Sequence, residues 1–220
     1  ISFAPVLDLD DSRSSVIGDR SIGDNPERVI VIASAFIEGM NQAGMQATGK
    51  HFPGHGGIFA DSHITFSQDT RPLSDIESHD LLPFSALKAQ LGAIMTAHIS
   101  FTNIDKDIAT FSIFWLQEIL RKKIGFTGII LSDDLSMKGT DHVGGIEAKV
   151  SKALDSGCNM VLICNDRPAA IEAINFLEKE KISRSHKITR LKASKSISWT
   201  DLEKDSRRKD IICKLNTIEK

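Results

Sequence analysis

Within fifteen positions, "GKHFPGHGGIFADSH" (49–63), the chain places three histidines, four glycines, a lysine and an aspartate. Few core-forming segments have this composition. Lys50 and His51 can donate hydrogen bonds to sugar hydroxyls or to a carboxylate. Gly54, Gly56 and Gly57 permit tight backbone turns beside them. His51 and His55 stand four apart, a zinc-ligand spacing on a helix. Pro53 and Gly54 between them argue against a helix, and no glutamate follows His51 in the H-E-x-x-H manner. A strand end facing a polar ligand, a metal site and a loop held by its own hydrogen bonds all remain open on spacing alone.

Asp61 and His63 are two apart. A carboxylate beside an imidazole fixes its tautomer and raises its pKa, which is half of a general acid/base device. A local Asx turn with an exposed histidine is the alternative. In "IILSDDLSM" (129–137) an apolar run delivers two adjacent carboxylates, Asp133 and Asp134. Neighbouring strand residues point to opposite faces, so one aspartate is expected to face a site while the other supports it or caps the next helix. A carboxylate in that position can be a nucleophile, a general base or a metal ligand. Arg20, in "VIGDRSIGDNP" (16–26), can bind a sugar oxygen or a carboxylate.

These residues need elements to hold them. Short apolar runs at 1–9, 45–52, 91–99, 127–134 and 159–165 are too short for helices and lack strict polar alternation. That pattern suits strands buried on both faces, as in a parallel sheet. Between them lie helical stretches. Asn25-Pro26 is a helix start, followed by an apolar stripe at Val29, Ile32, Ala33, Phe36, Ile37 and Met40, with Gly44 at its end. Further helices are expected over 77–90, from Ser112 to Gly125, over 144–156 and over 168–179. Five βα units follow. A doubly wound sheet and a (β/α)8 barrel both accept this alternation. Asp8, Lys50-His51, His98, Asp133-Asp134 and Asn165 all fall at C-terminal strand ends, and a barrel gathers such ends into one mouth. The barrel is therefore the expected fold. The tail from 180 is basic, with apolar Ile182, Ile188 and Leu191 spaced to pack on one side and Trp199 and Leu202 placed to anchor the last helix.

Composition excludes several function classes. The 220 residues carry a net charge of −2, with 41% apolar and 25% charged residues. No general attraction to nucleic acid follows. No apolar run approaches the roughly 20 residues that span a bilayer. The three cysteines lack a metal-site spacing, and Cys158 and Cys164 in "CNMVLIC" read as packed small hydrophobes. A reducing, cytoplasmic setting is expected.

"FAPVLD", "GDRSIG", "GKHFPGHG" with "ADSH", and "SDDLSMKG", in this order and spacing, resemble the β-N-acetylhexosaminidases of glycoside hydrolase family 3, of the NagZ type. The likeness covers essentially the whole chain, and its two long motifs are specific. It implies a single catalytic (β/α)8 barrel over 1–220 with a C-terminal helical tail, 180–220, packed on it. It implies a retaining enzyme that releases terminal N-acetylglucosamine from muropeptides during cell-wall recycling. Asp133 matches the family's nucleophile, His63 its acid/base and Asp61 the partner of that histidine. Arg20, Lys50 and His51 match substrate-binding positions. No metal or organic cofactor is implied, and the full-length protein is expected to be a monomer. The family's upstream "DQEGGRV"-like motif has no counterpart here, and "ISFAPVLDLD" reads as a strand from residue 1. The chain is therefore expected to be an N-terminally truncated barrel with low stability and little activity of its own. Two rival readings are a metal-dependent barrel hydrolase using His51, His55, His63 and Asp133, and a non-catalytic sugar-binding barrel.

Overall fold

The computed structural model describes residues 1–10, 16–55, 67–183 and 185–218. The apolar runs become strands: β1 (Thr48–Phe52), β2 (Gln68–Asp69), β3 (Ala93–Thr96), β4 (Ser100–Phe101), β5 (Ile129–Asp134) and β6 (Met160–Leu162). β1, β3, β5 and β6 lie side by side in that order, each pair parallel. β2 and β4 form a separate parallel pair. The opening segment runs along the other side of β1 through a parallel Val6–Lys50 bridge. There Thr48 N–H donates to Ala4 O at 2.8 Å and Leu7 N–H to Lys50 O at 2.7 Å. It forms a bridge rather than a full strand; Pro5 has no N–H to offer a ladder. Spatial order follows chain order with no reversal. A doubly wound sheet reverses at its switch point, whereas a barrel does not.

Helices connect the strands. α1 (Pro26–Gln42) starts where the Asn25 side chain accepts from Arg28 N–H, and it buries Val29, Ala33 and Ile37. Gly44, at φ +79°, turns the chain out of it. The helix expected over 77–90 is instead two, α2 (Leu73–Ser78) and α3 (Leu81–Leu87), broken at His79-Asp80. In one continuous helix Pro83 would sit inside and delete a hydrogen bond; the break leaves it in the first turn of α3, where no donor is needed. Phe114–Lys123 is a π-helix that buries Trp115, Leu116, Ile119 and Leu120. α4 (Ile146–Ser156) and α5 (Arg167–Lys179) follow, the latter capped by Asp166. α6 (Trp199–Lys204) and α7 (Ser206–Ile218) close the chain. Among the described residues, no helix is long and apolar enough to cross a membrane.

The period-two alternation of the strands divides the core. Ile94 and Ile130 pack outward with α1, α3 and the π-helix. Ala93, Met95, Ile129 and Leu131 form the inner face, where Leu191 and the partly buried Ile188 cover them. The short 3-10 helix His186–Leu191 carries those two residues, and Ser194 N–H donates to Gly44 O at 2.9 Å. Three expectations about side chains need correction. Ile182 and Trp199 are exposed, the latter at 68%, so Trp199 does not anchor α6. Cys164 is also exposed, because β6 ends before it; Cys158 is buried as expected, and burial pushes its thiol up to about 12.

Candidate active site

Asp8, at the end of the opening segment, is fully buried and is the centre of the site. Its Oδ2 lies 2.7 Å from His51 Nδ1. Its Oδ1 accepts from the backbone N–H groups of His51 at 3.1 Å and His55 at 2.8 Å. Burial alone would raise the Asp8 pKa, but the His51 charge and hydrogen bonds outweigh it and hold the carboxyl below its usual range. An ionised carboxylate can only accept, so the His51 proton sits on Nδ1. The other ring nitrogen, Nε2, then points at Asp133 Oδ2, 4.0 Å away. That distance is too long for a direct hydrogen bond, so the two groups face the same space side by side. The Lys50–His51 and Phe52–Pro53 peptides within this strand end are both cis.

The paired aspartates divide their work as strand geometry predicts. Asp133 is in phase with Ile129 and Leu131, whose side chains form the inner face, and it remains part-exposed toward His51. Asp134 braces the strand end. Its Oδ1 accepts from Ser136 N–H at 2.9 Å and from Cys164 N–H at 2.9 Å, and the Ser136 hydroxyl donates to the same carboxylate. This ties the end of β5 to the chain just past β6.

Lys50 is half-buried. Burial lowers its pKa and the positive charge of Arg20 pushes the same way, while Asp133 and Asp8 oppose them. Arg20 is exposed, and its Nε and Nη2 donate to Val16 O at 3.2 and 2.7 Å. Lys50 thus feels both the Arg20 cation and the part-exposed Asp133 carboxylate. His98, from the loop after β3, completes the floor. Its Nε2 lies 3.0 Å from Asp134 O, a pure acceptor, so Nε2 carries the proton. Nδ1 lies 2.8 Å from the Thr110 hydroxyl, which also reaches Ala97 O at 3.0 Å. Burial lowers the His98 pKa, opposed by the Asp133 and Asp134 carboxylates and a hydrogen bond to the Asp134 backbone.

The structure brings Asp133, His51 and Lys50 together, with Arg20 charged nearby. Asp61 and His63 lie outside the described residues. The sequence pointed to Asp8 as a strand-end carboxylate but not to its role as partner of His51. Among the described residues, no group of three or more His, Cys, Asp or Glu side chains is placed to hold a metal ion.

A family model for the N-terminal domain of glycosyl hydrolase family 3 matches residues 1–192. The chain belongs to glycoside hydrolase family 3. A beta-hexosaminidase of Tolumonas auensis is 49% identical over 212 residues, covering 96% of this chain and 62% of that protein. The chain thus spans about three-fifths of the length of this family 3 relative, at 62%. Native NagZ from Neisseria gonorrhoeae superposes with a TM-score of 0.79 at 38% identity, covering 89% of this chain and 57% of its own. The same protein in complex with N-trifluoroacetyl-D-glucosamine also gives 0.79 at 38% identity, covering 89% and 56%. The parallel strands of this family 3 chain are accordingly consecutive staves of a (β/α)8 barrel.

Proposed function

We propose that this chain carries the chemistry of a retaining β-N-acetylglucosaminidase, which removes terminal N-acetylglucosamine from muropeptides in the cytoplasm. The observation that carries the reading is the Asp8–His51–Asp133 alignment: a buried carboxylate fixes one imidazole nitrogen and presents the other 4.0 Å from an inward, part-exposed aspartate. Family membership and a relative crystallised with an N-acyl glucosamine support the substrate class.

In this reading Lys50, His51 and Arg20 hold the sugar. Asp133 attacks the anomeric carbon while His63, oriented by Asp61, protonates the departing oxygen, giving a glycosyl-enzyme ester. His63 then takes a proton from the water that opens the ester. Two displacements at one carbon restore its configuration, as in carboxylate-paired retaining glycosidases. Residues 1–220 act as one catalytic domain, with 180–220 packed on the barrel as a tail, and the protein works as a monomer.

The test is hydrolysis of a chromogenic N-acetylglucosaminide with and without a chelator. The chain is assayed alone and joined behind the amino-terminal part of the Tolumonas auensis relative. Turnover that survives chelation and vanishes in Asp133→Ala is expected. Turnover lost to the chelator, or retained in Asp133→Ala, contradicts the reading.

A further inference from the structure

The pairing of β3 with β5 stops short of Asp133. Its register ends at Met95–Leu131, two residues earlier. Beyond that point a side chain makes the tie: His98 Nε2 donates to Asp134 O at 3.0 Å. The ring is itself pinned. Its Nδ1 lies 2.8 Å from the Thr110 hydroxyl, which stands 2.8 Å from the Thr96 hydroxyl, and Phe111 stacks on it with 25° between the planes. His98, Thr110 and Thr96 are all buried. A ring locked by packing and hydrogen bonds fixes the group it holds.

The group it holds belongs to the residue that grips Asp133. Asp134 N–H donates to Asp133 Oδ1 at 2.8 Å. The Asp134 carbonyl accepts from His98 on the β3 side, and the Asp134 carboxylate accepts from Cys164 N–H at 2.9 Å on the β6 side. Residue 134 is thus fixed from both flanks, and its N–H is fixed with it. One oxygen of Asp133 is held, and the other, Oδ2, faces His51 Nε2 at 4.0 Å. A carboxylate whose two oxygens are chemically equivalent acquires an anchored oxygen and one directed into the site.

We infer that His98 is a positioning residue for Asp133: through the Asp134 backbone it fixes which carboxylate oxygen is presented to the sugar, and so makes Oδ2 the attacking atom. This rests on the proposed role of Asp133 as nucleophile. In the step it governs, a bond forms from Oδ2 to the anomeric carbon while the bond from that carbon to the departing oxygen breaks, and the electron pair leaves with that oxygen. Misplacing a reacting group by about 1 Å can cost such a step roughly 100-fold.

Substitution can separate the two ring nitrogens. His98→Gln puts an amide nitrogen where Nε2 stands and keeps the bond to Asp134 O; His98→Asn puts its amide where Nδ1 stands and keeps only the Thr110 contact. Dinitrophenyl β-N-acetylglucosaminide is the substrate, because its leaving group departs as a stable anion and kcat/KM then reports the attack by Asp133. That value and the Kd of N-acetylglucosamine are measured on the chain joined behind the amino-terminal part of the Tolumonas auensis relative. His98→Asn is expected to lower kcat/KM about tenfold or more while Kd moves less than about twofold, and His98→Gln to restore kcat/KM to within about threefold of the parent. Where His98→Asn fails to fold, His98→Met, apolar and of similar length, takes its place with the same expectation. Equal losses in the two variants, no loss in either, or sugar binding lost in step with turnover each overturn the inference. Asp133→Ala is run alongside. If it keeps the parent's turnover, or if the parent has none, the underlying reading falls and the inference with it; a loss in Asp133→Ala without one in His98→Asn rejects the His98 role only.

Discussion

Asp8 and His51 are 43 residues apart in sequence, yet their 2.7 Å contact decides which nitrogen of His51 meets a ligand. Asp8→Asn would keep the shape and reverse the bond, since the amide would donate to Nδ1 and leave the ring proton on Nε2. The expected result is a tautomer switch visible in the His51 ring 15N shifts, with weaker sugar binding by about 1–3 kcal/mol, the cost of leaving a buried polar group without its partner. Unchanged shifts would show that Asp8 does not set the tautomer. The buried rings also predict a pH response. Burial lowers the pKa of both His55 and His98. Below the ordinary histidine pKa of about 6.5 the unfolded chain binds protons that the folded one refuses, so stability falls as pH drops and rises as pH increases. A denaturant midpoint at pH 5 no lower than at pH 7.5 would contradict this. At this scale the sequence was partly legible. That only one of Asp133 and Asp134 would face inward followed from strand alternation; that it would be Asp133 came from the family resemblance. The Asp8–His51 pairing followed from neither, because nothing local links segments that meet only across neighbouring strands.

Elements carry the site through close packing. Gly49 in β1 is one such point: a Cβ there would lie 2.7 Å from Leu7 Cδ1 and 2.8 Å from Leu91 Cδ1. Gly49→Ala would wedge the opening segment away from β1 and so move Asp8 from His51. Overpacking of this kind costs about 1–3 kcal/mol, and a fall in denaturation midpoint of that size is expected, together with weaker sugar binding. A neutral effect would mean that the segment 1–9 is held by something other than this contact. α1 was readable from its cap and apolar stripe, and α4 and α5 as helical stretches between the apolar runs. The division of 77–90 was not, because Pro83 was counted within a helical stripe although it lacks a donor. The π-helix at Phe114–Lys123 was likewise read only as a helix, since its apolar spacing does not distinguish the two windings.

For the whole molecule, consecutive parallel staves and a covered inner face define a barrel arc whose family relative is longer, the chain spanning 62% of it. Leu191 closes the inner face against Met95 and Leu131, at 5% exposure. Leu191→Ala should cost about 2–5 kcal/mol by opening a cavity there, measured by chemical denaturation; a change below about 0.5 kcal/mol, as at an ordinary surface site, would deny the tail that role. Alternating strands and helices admitted a barrel or a doubly wound sheet, and polar residues at the strand ends pointed to the barrel, whereas the tail's cover of the inner face was visible only as a faint apolar spacing at Ile188 and Leu191. The most direct test of the central claim is mass spectrometry of the extended chain after treatment with a slow fluorinated N-acetylglucosaminyl substrate. The account predicts one glycosyl unit esterified to Asp133, absent in Asp133→Ala. An adduct on Asp134, or sugar release that persists in Asp133→Ala, would contradict it.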